Sequence, residues 1–344
     1  MAQQILIRTP NHLGDCIMAL PMISETKELY PNSELTIIVP EKLTEIFQNN
    51  PGVDHIIPMP PKYQHGLVAV TKLKELLDGK KYDVGFVLPP SFGSAAGFQL
   101  AGVKERIGYI ADGRRLLLSK PLPLPTPLNS VHRSELYFNL LRRISSNELE
   151  YVKPTLMLND EDMQNGIEVL ENYELSKEHD YVTIAFQAVA ESRRWGAEKY
   201  TQLIKRIISE LSLKVVLIGS ADDKKTGDMI AEACGTDAVK NISGMSSIRE
   251  SAAILSLGKA FVGNDSGPAH IAAAVDCPVV VISGADDPKS TSPMATNKIL
   301  IYEENLECIS CVKNKCPKKE DNFMACMELI TVERVFQAVS LLVV

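Results

Sequence analysis

Short apolar runs alternate along the chain with longer segments whose apolar residues return every three or four positions. The run at 5–10 (ILIRTP) reads as a buried strand; the turn NHLGD and a helix over 16–31 follow. Strands at 34–40 and 54–60 enclose a helix at 42–49. Next come a helix near 67–77, a strand at 82–90, a helix near 94–101 and the strand RIGYI at 106–110. Proline-rich residues 120–130 read as a loop or extended strap, and helical patterns return at 132–144 and 160–172, with a linker at 145–158 between them. Strands are then expected at 181–187, 214–220, 237–243, 259–265 and 278–284, with helices between them and a closing helix at 331–343. Apolar strands alternating with helical patterns predict an α/β fold of parallel sheets with helices on both faces. The alternation stops and restarts, so two Rossmann-like halves are expected, joined near 145–178 and divided as domains 1–150 and 151–344. In such folds ligands sit where strand C-termini and helix N-termini converge.

The chain has 344 residues, 45% hydrophobic and 23% charged, an ordinary globular composition. The opening MAQQILIRTP lacks the basic and apolar regions of a secretory signal, and no apolar run is long enough to span a membrane, so the expected compartment is the cytoplasm. The net charge of −7 argues against a nucleic-acid partner. Residues 1–150 carry +1 and residues 151–344 carry −8, so the first half suits an anionic partner better, unless the asymmetry reflects only solvated faces.

Three turns carry candidate chemistry. In NDSGPAH, Gly267 permits a tight turn and Pro268 suits a first helical turn. Asp265 or Ser266 can cap that helix, and the amides of Ser266, Gly267 and Ala269 form an anion site that fits a diphosphate. His270 could then donate to a phosphate oxygen or a sugar hydroxyl, or pack beneath a capped helix. In NHLGD, Asn11 and Gly14 precede Asp15, which could take a proton from a substrate hydroxyl or serve only as an N-cap. In ESRRWG, Arg193 and Arg194 could neutralise a diphosphate or form a solvated face, and Trp195 could pack or stack on a base.

Together, NxxGDxxMALP at 11–21, residues 88–109, HRSELYFNLL at 132–141, RRW at 193–195 and NDSGPAHIAAA at 264–274 resemble the bacterial lipopolysaccharide heptosyltransferases of glycosyltransferase family 9, most closely the heptosyltransferase II branch. The resemblance implies a GT-B fold of two facing Rossmann-like domains: an N-terminal one for the acceptor and a C-terminal one for the nucleotide sugar. It implies inverting, metal-independent transfer of heptose from ADP-heptose to the inner core of lipopolysaccharide, with transient contact at the inner-membrane surface. Asp15 matches the general base, and Asp265, Ser266, Gly267 and His270 match the donor loop. Arg193 lies near a family lysine that contacts the donor phosphates. Beside Asn11 and Gly14, the basic residues Lys62, Arg114, Arg115 and Arg133 are candidate acceptor contacts. Three turns depart from the family pattern: QAVAES at 187–192 replaces a Pro-Gly-Ala-like turn, Trp195-Gly196 replaces Trp-Pro, and GADDP at 284–288 replaces Gly-Pro-Thr-Asp-Pro. These departures keep open a different nucleotide-diphosphate sugar or a relative that binds donor without turning it over; a nucleotide-sugar epimerase or hydrolase on the same fold is the other alternative.

Cys308, Cys311, Cys316 and Cys326 follow a C-x2-C-x4-C-x9-C spacing that could hold a structural zinc ion, or be free thiols in a lysine-rich loop. No cofactor is expected for catalysis.

Overall fold

The computed structural model describes residues 2–64, 66–77, 79–176 and 179–343. It divides into two compact units, Met1–Pro154 and Thr155–Val344. In the first unit, strands β1 (Gln3–Arg8), β2 (Ser33–Pro40), β3 (His55–Met59), β4 (Val84–Val87), β5 (Glu105–Tyr109) and β6 (Lys120–Leu122) form one sheet in the order β3-β2-β1-β4-β5-β6, every neighbour parallel. Its helices are α1 (Leu13–Leu29), α2 (Gly66–Leu76), α3 (Phe92–Leu100) and α4 (Arg133–Arg142).

The second unit contains α5 (Asp160–Glu171), α6 (Ala197–Leu211), α7 (Lys224–Cys234), α8 (Ile248–Leu257), α9 (Gly267–Ala274), α10 (Pro288–Thr291), α11 (Ala325–Glu328) and α12 (Val332–Val343). Its strands are β7 (Tyr181–Ala185), β8 (Lys214–Leu217), β9 (Val239–Asn241), β10 (Ala260–Asn264), β11 (Val279–Ile282) and β12 (Lys298–Ile301), in the order β12-β11-β10-β7-β8-β9 and again all parallel. Read from the opposite edge, this is the same winding as in the first unit. The chain starts in the middle of each sheet, winds to one edge, and returns to build the other. That order leaves a switch point between β1 and β4, and another between β7 and β10, where adjacent connections leave in opposite directions and open a crevice.

The central strands are buried on both faces, which is why they read as continuous apolar runs rather than alternating ones; Ile5, Leu6 and Ile7 of β1 are all at 0% exposure. Edge strands β6 and β12 carry weaker signals: β6 lies inside the proline-rich strap, and β12 was not expected. The helix expected at 42–49 is a 3-10 segment, Glu41–Phe47. The core of the second unit gathers Trp195, Tyr200 and Phe336 against β7, β8, β10 and β11. Trp195 is 1% exposed, donates from Nε1 to Ile330 O at 2.9 Å and meets Tyr200 edge-on, so of its two readings it packs.

Candidate active site

In the first unit, α1 leaves the C-terminal end of β1 at the switch point. His12 is the N-cap residue and α1 starts at Leu13, so Asp15 lies inside the first turn and is not the cap. Its Oδ1 instead accepts from Tyr137 Oη at 3.3 Å and pairs with Arg133 Nη1 at 3.3 Å, both from α4. The Asp15 side chain is 15% exposed, and Arg133 beside it 40%. Burial, and then the Asp15 charge, push the Tyr137 hydroxyl well above its ordinary range, so it stays a protonated donor. Beneath this group Cys16 is fully buried, its thiol pushed up to about 12 chiefly by burial. Arg8 is also buried and donates to Thr9 O and Asn11 Oδ1. Asn11 is therefore engaged in fixing the β1–α1 turn.

The basic acceptor candidates separate. Arg133 joins Asp15. Lys62, exposed after β3 and lying over the Tyr63 ring, and Arg115, exposed after β5, both follow C-terminal strand ends of the same parallel sheet. Arg114 is a correction. It is 1% exposed and donates to the carbonyls of Tyr109 (2.8 Å), Val87 (3.4 Å) and Pro89. Its guanidinium is taken up by backbone carbonyls inside the first unit.

In the second unit, the loops after β7 and β10 meet at the switch point. Ser266 is the N-cap residue of α9, yet its side chain makes no cap bond. Ala269 N–H is taken by Ser266 O at 3.1 Å, which removes that amide from the expected anion site; those of Ser266 and Gly267 head the helix. Asp265 does not cap either: it is 3% exposed and accepts from Ser283 Oγ at 3.0 Å. Its carboxyl is pushed up to about 7, first by burial and next by the nearby Asp286. His270 is buried one turn into α9.

The turn carrying Arg193 lies against this loop, because Trp195 N–H donates to Asn264 Oδ1 at 3.0 Å. Arg193 Nη2 pairs with Asp286 Oδ1 at 2.6 Å. Arg194 points elsewhere, donating from Nε to Ala188 O at 2.8 Å. Three buried donors here have no partner: Arg193 Nε, Asn264 Nδ2 and Ser266 Oγ. Buried polar groups are nearly always satisfied in native proteins, so these donors, gathered at a helix N-terminus beside an arginine, call for an acceptor. Tyr137, Asn264 and Asp286 were not among the sequence candidates. Asn264 stood inside the quoted motif, and Asp286 had been noted only as a departure.

The four clustered cysteines line a cavity of about 30 Å³, with Met324 N–H donating to Cys316 Sγ at 3.3 Å. Among the described residues no group of three or more His, Cys, Asp or Glu side chains is arranged to hold a metal ion, so the zinc expectation finds no support.

The family model for glycosyltransferase family 9 (heptosyltransferase) matches residues 70–321. The chain belongs to glycosyltransferase family 9. Among its relatives, lipopolysaccharide heptosyltransferase 2 of Salmonella typhimurium is 28% identical over 306 residues, 85% of this chain and 86% of that protein. Two solved structures share the fold over nearly the whole chain. The Escherichia coli ADP-heptose lipopolysaccharide heptosyltransferase II has a TM-score of 0.80 at 24% identity, covering 99% of this chain and 98% of its own. A family 9 glycosyltransferase from Veillonella parvula has a TM-score of 0.86 at 19% identity, covering 99% of this chain and 97% of its own. The protein is thus a family 9 glycosyltransferase with two Rossmann-like units of the GT-B type. No helix among the described residues is long and apolar enough to cross a membrane.

Proposed function

We propose that this protein transfers heptose from ADP-heptose to an inner-core acceptor of lipopolysaccharide, with inversion at the anomeric carbon and without a catalytic metal. The observation that carries the reading is the cluster of unmet donors, Arg193 Nε, Asn264 Nδ2 and Ser266 Oγ, at the N-terminus of α9. A diphosphate supplies the acceptors they lack, and the helix dipole and Arg193 offset its charge. In the reaction Asp15 takes the proton from an acceptor hydroxyl. That oxygen forms the new bond to the anomeric carbon as the bond to the diphosphate breaks, and ADP departs with the electron pair. Tyr137 and Arg133 hold Asp15 through Oδ1. Lys62, Arg115 and the exposed part of Arg133 are the contacts offered to an anionic acceptor, and the unit Met1–Pro154 is its domain. An acceptor carried in a bilayer brings the protein to the cytoplasmic surface of the inner membrane as a peripheral visitor.

The test is ADP release from ADP-heptose, with and without a heptose-containing core acceptor. Release is expected only with acceptor. Asp15→Ala is expected to lower it at least about a hundredfold, the usual contribution of a positioned base, with ADP affinity unchanged. Unchanged turnover would remove Asp15 from the mechanism; release without acceptor would point to hydrolysis instead.

A further inference from the structure

Both ends of the Arg193–Asp286 ion pair hang from one stretch of chain, 310–314. Val312 N–H donates to Ala285 O at 2.7 Å and Ser310 N–H to Gly284 O at 3.1 Å. Ser192 N–H donates to Asn314 O at 3.2 Å, and Ser192 Oγ donates to Lys313 O. Gly284 has no room for a side chain: a Cβ there would lie 2.6 Å from Met327 Sδ and 3.0 Å from Cys326 Sγ. The turns that carry Arg193 and Asp286 are therefore fixed to a common clamp. Asp287, the next residue, has separate work as the N-cap of α10, accepting from Lys289 N–H at 3.2 Å.

Within this frame Asp286 holds the guanidinium through Nη2. The Asp286 side chain is 11% exposed and takes Arg193 Nη2, while Arg193 Nε is left buried and without a partner. A carboxylate beside a phosphate site is costly by itself, because it repels the ligand. It is useful there when it orients the cation that binds the ligand, since a long side chain held in one rotamer loses less freedom on binding.

We propose that Asp286 is a positioning residue that presets Arg193 for the diphosphate of the nucleotide-sugar donor. This role rests on the reading of the α9 N-terminus as the donor-phosphate site. The test is calorimetric titration of the 344-residue chain with ADP, for wild type, Arg193→Ala, Asp286→Ala, Asp286→Asn and the double alanine variant. Asp286→Ala is expected to weaken ADP about 5- to 10-fold, and the double variant to bind no more weakly than Arg193→Ala alone, as for residues acting through one another. Asp286→Asn keeps an acceptor oxygen and should recover most of the affinity. In turnover, KM for the donor should rise in Asp286→Ala more than kcat falls. Tighter ADP binding in Asp286→Ala would mean the carboxylate only repels phosphate, and would overturn the proposal. So would additive losses in the double variant. Wild-type protein that binds no ADP would overturn the donor reading and this role with it; ADP binding weakened by Arg193→Ala but not by Asp286→Ala would overturn this role alone.

Discussion

Asp265 gives the most direct test of the electrostatics at the α9 N-terminus. Burial is the main reason its carboxyl is pushed from 3.8 up to about 7; Asp286 adds to the rise, while Ser283, Arg193 and Lys298 oppose it. A carboxyl whose folded pKa exceeds its unfolded value stabilises the fold below the unfolded pKa, and that contribution is lost as pH rises through the folded one. The window here runs from about pH 4 to about pH 7. A difference of about three pH units, at about 1.4 kcal/mol each, makes the whole contribution about 4 kcal/mol, of which about 3 kcal/mol disappears between pH 5 and pH 8. Asp265→Asn is nearly isosteric, keeps an oxygen for Ser283 Oγ and removes the titration. Urea unfolding can be followed by the fluorescence of Trp195, the only tryptophan, which reports on the second unit. The stability difference between the two proteins should move by about 3 kcal/mol in favour of the variant from pH 5 to pH 8. Comparing them at each pH cancels the other titrating groups. A difference that does not change with pH would refute the argument that ionising Asp265 opposes folding. A change of opposite sign would mean that Arg193 and Lys298 outweigh burial.

Further outcomes concern two buried arginines, each of which braces the inside of one unit. Arg249 donates from Nε to Asp162 Oδ1 at 2.6 Å and from Nη2 to Met157 O at 2.7 Å, joining α8 to α5, and both side chains of the pair are under 10% exposed. Arg249→Met strands a buried carboxylate and should cost about 3–5 kcal/mol in urea unfolding of the second unit. Arg114→Met leaves the carbonyls of Tyr109, Val87 and Pro89 without their buried donor, and should lower stability by at least about 2 kcal/mol. In turnover assays below its melting temperature, Arg114→Met should leave the acceptor KM within about twofold of wild type; a large rise would put Arg114 back among the acceptor contacts.

The two halves were legible in the chain because a parallel sheet is buried on both faces. Its inner strands must be apolar runs, and the restart of the alternation after 145–158 marked the second unit. The three turns carrying Asp15, Arg193 and NDSGPAH were legible for a related reason: small and polar residues at a strand's end, before an apolar helix, are what a tight crevice turn requires. Edge strands β6 and β12 were not, since few residues and a half-exposed setting leave little periodicity.

Sequence order alone could not assign partners to charges. Arg114 and Arg115 are neighbours of the same type, yet one is spent on backbone carbonyls inside the first unit and the other is exposed. Tyr137 lies 122 positions from Asp15 and meets it only because α1 and α4 pack together. Asp286 lies 93 positions from Arg193, yet the fold brings their charges to 2.6 Å. The local pattern determined the elements, their alternation and the turns that carry the chemistry, because those depend on which residues a helix start or buried strand tolerates. Which charge faces which was decided by tertiary packing, because electrostatic and hydrogen-bond energies depend on distance and burial, and neither is written in sequence separation.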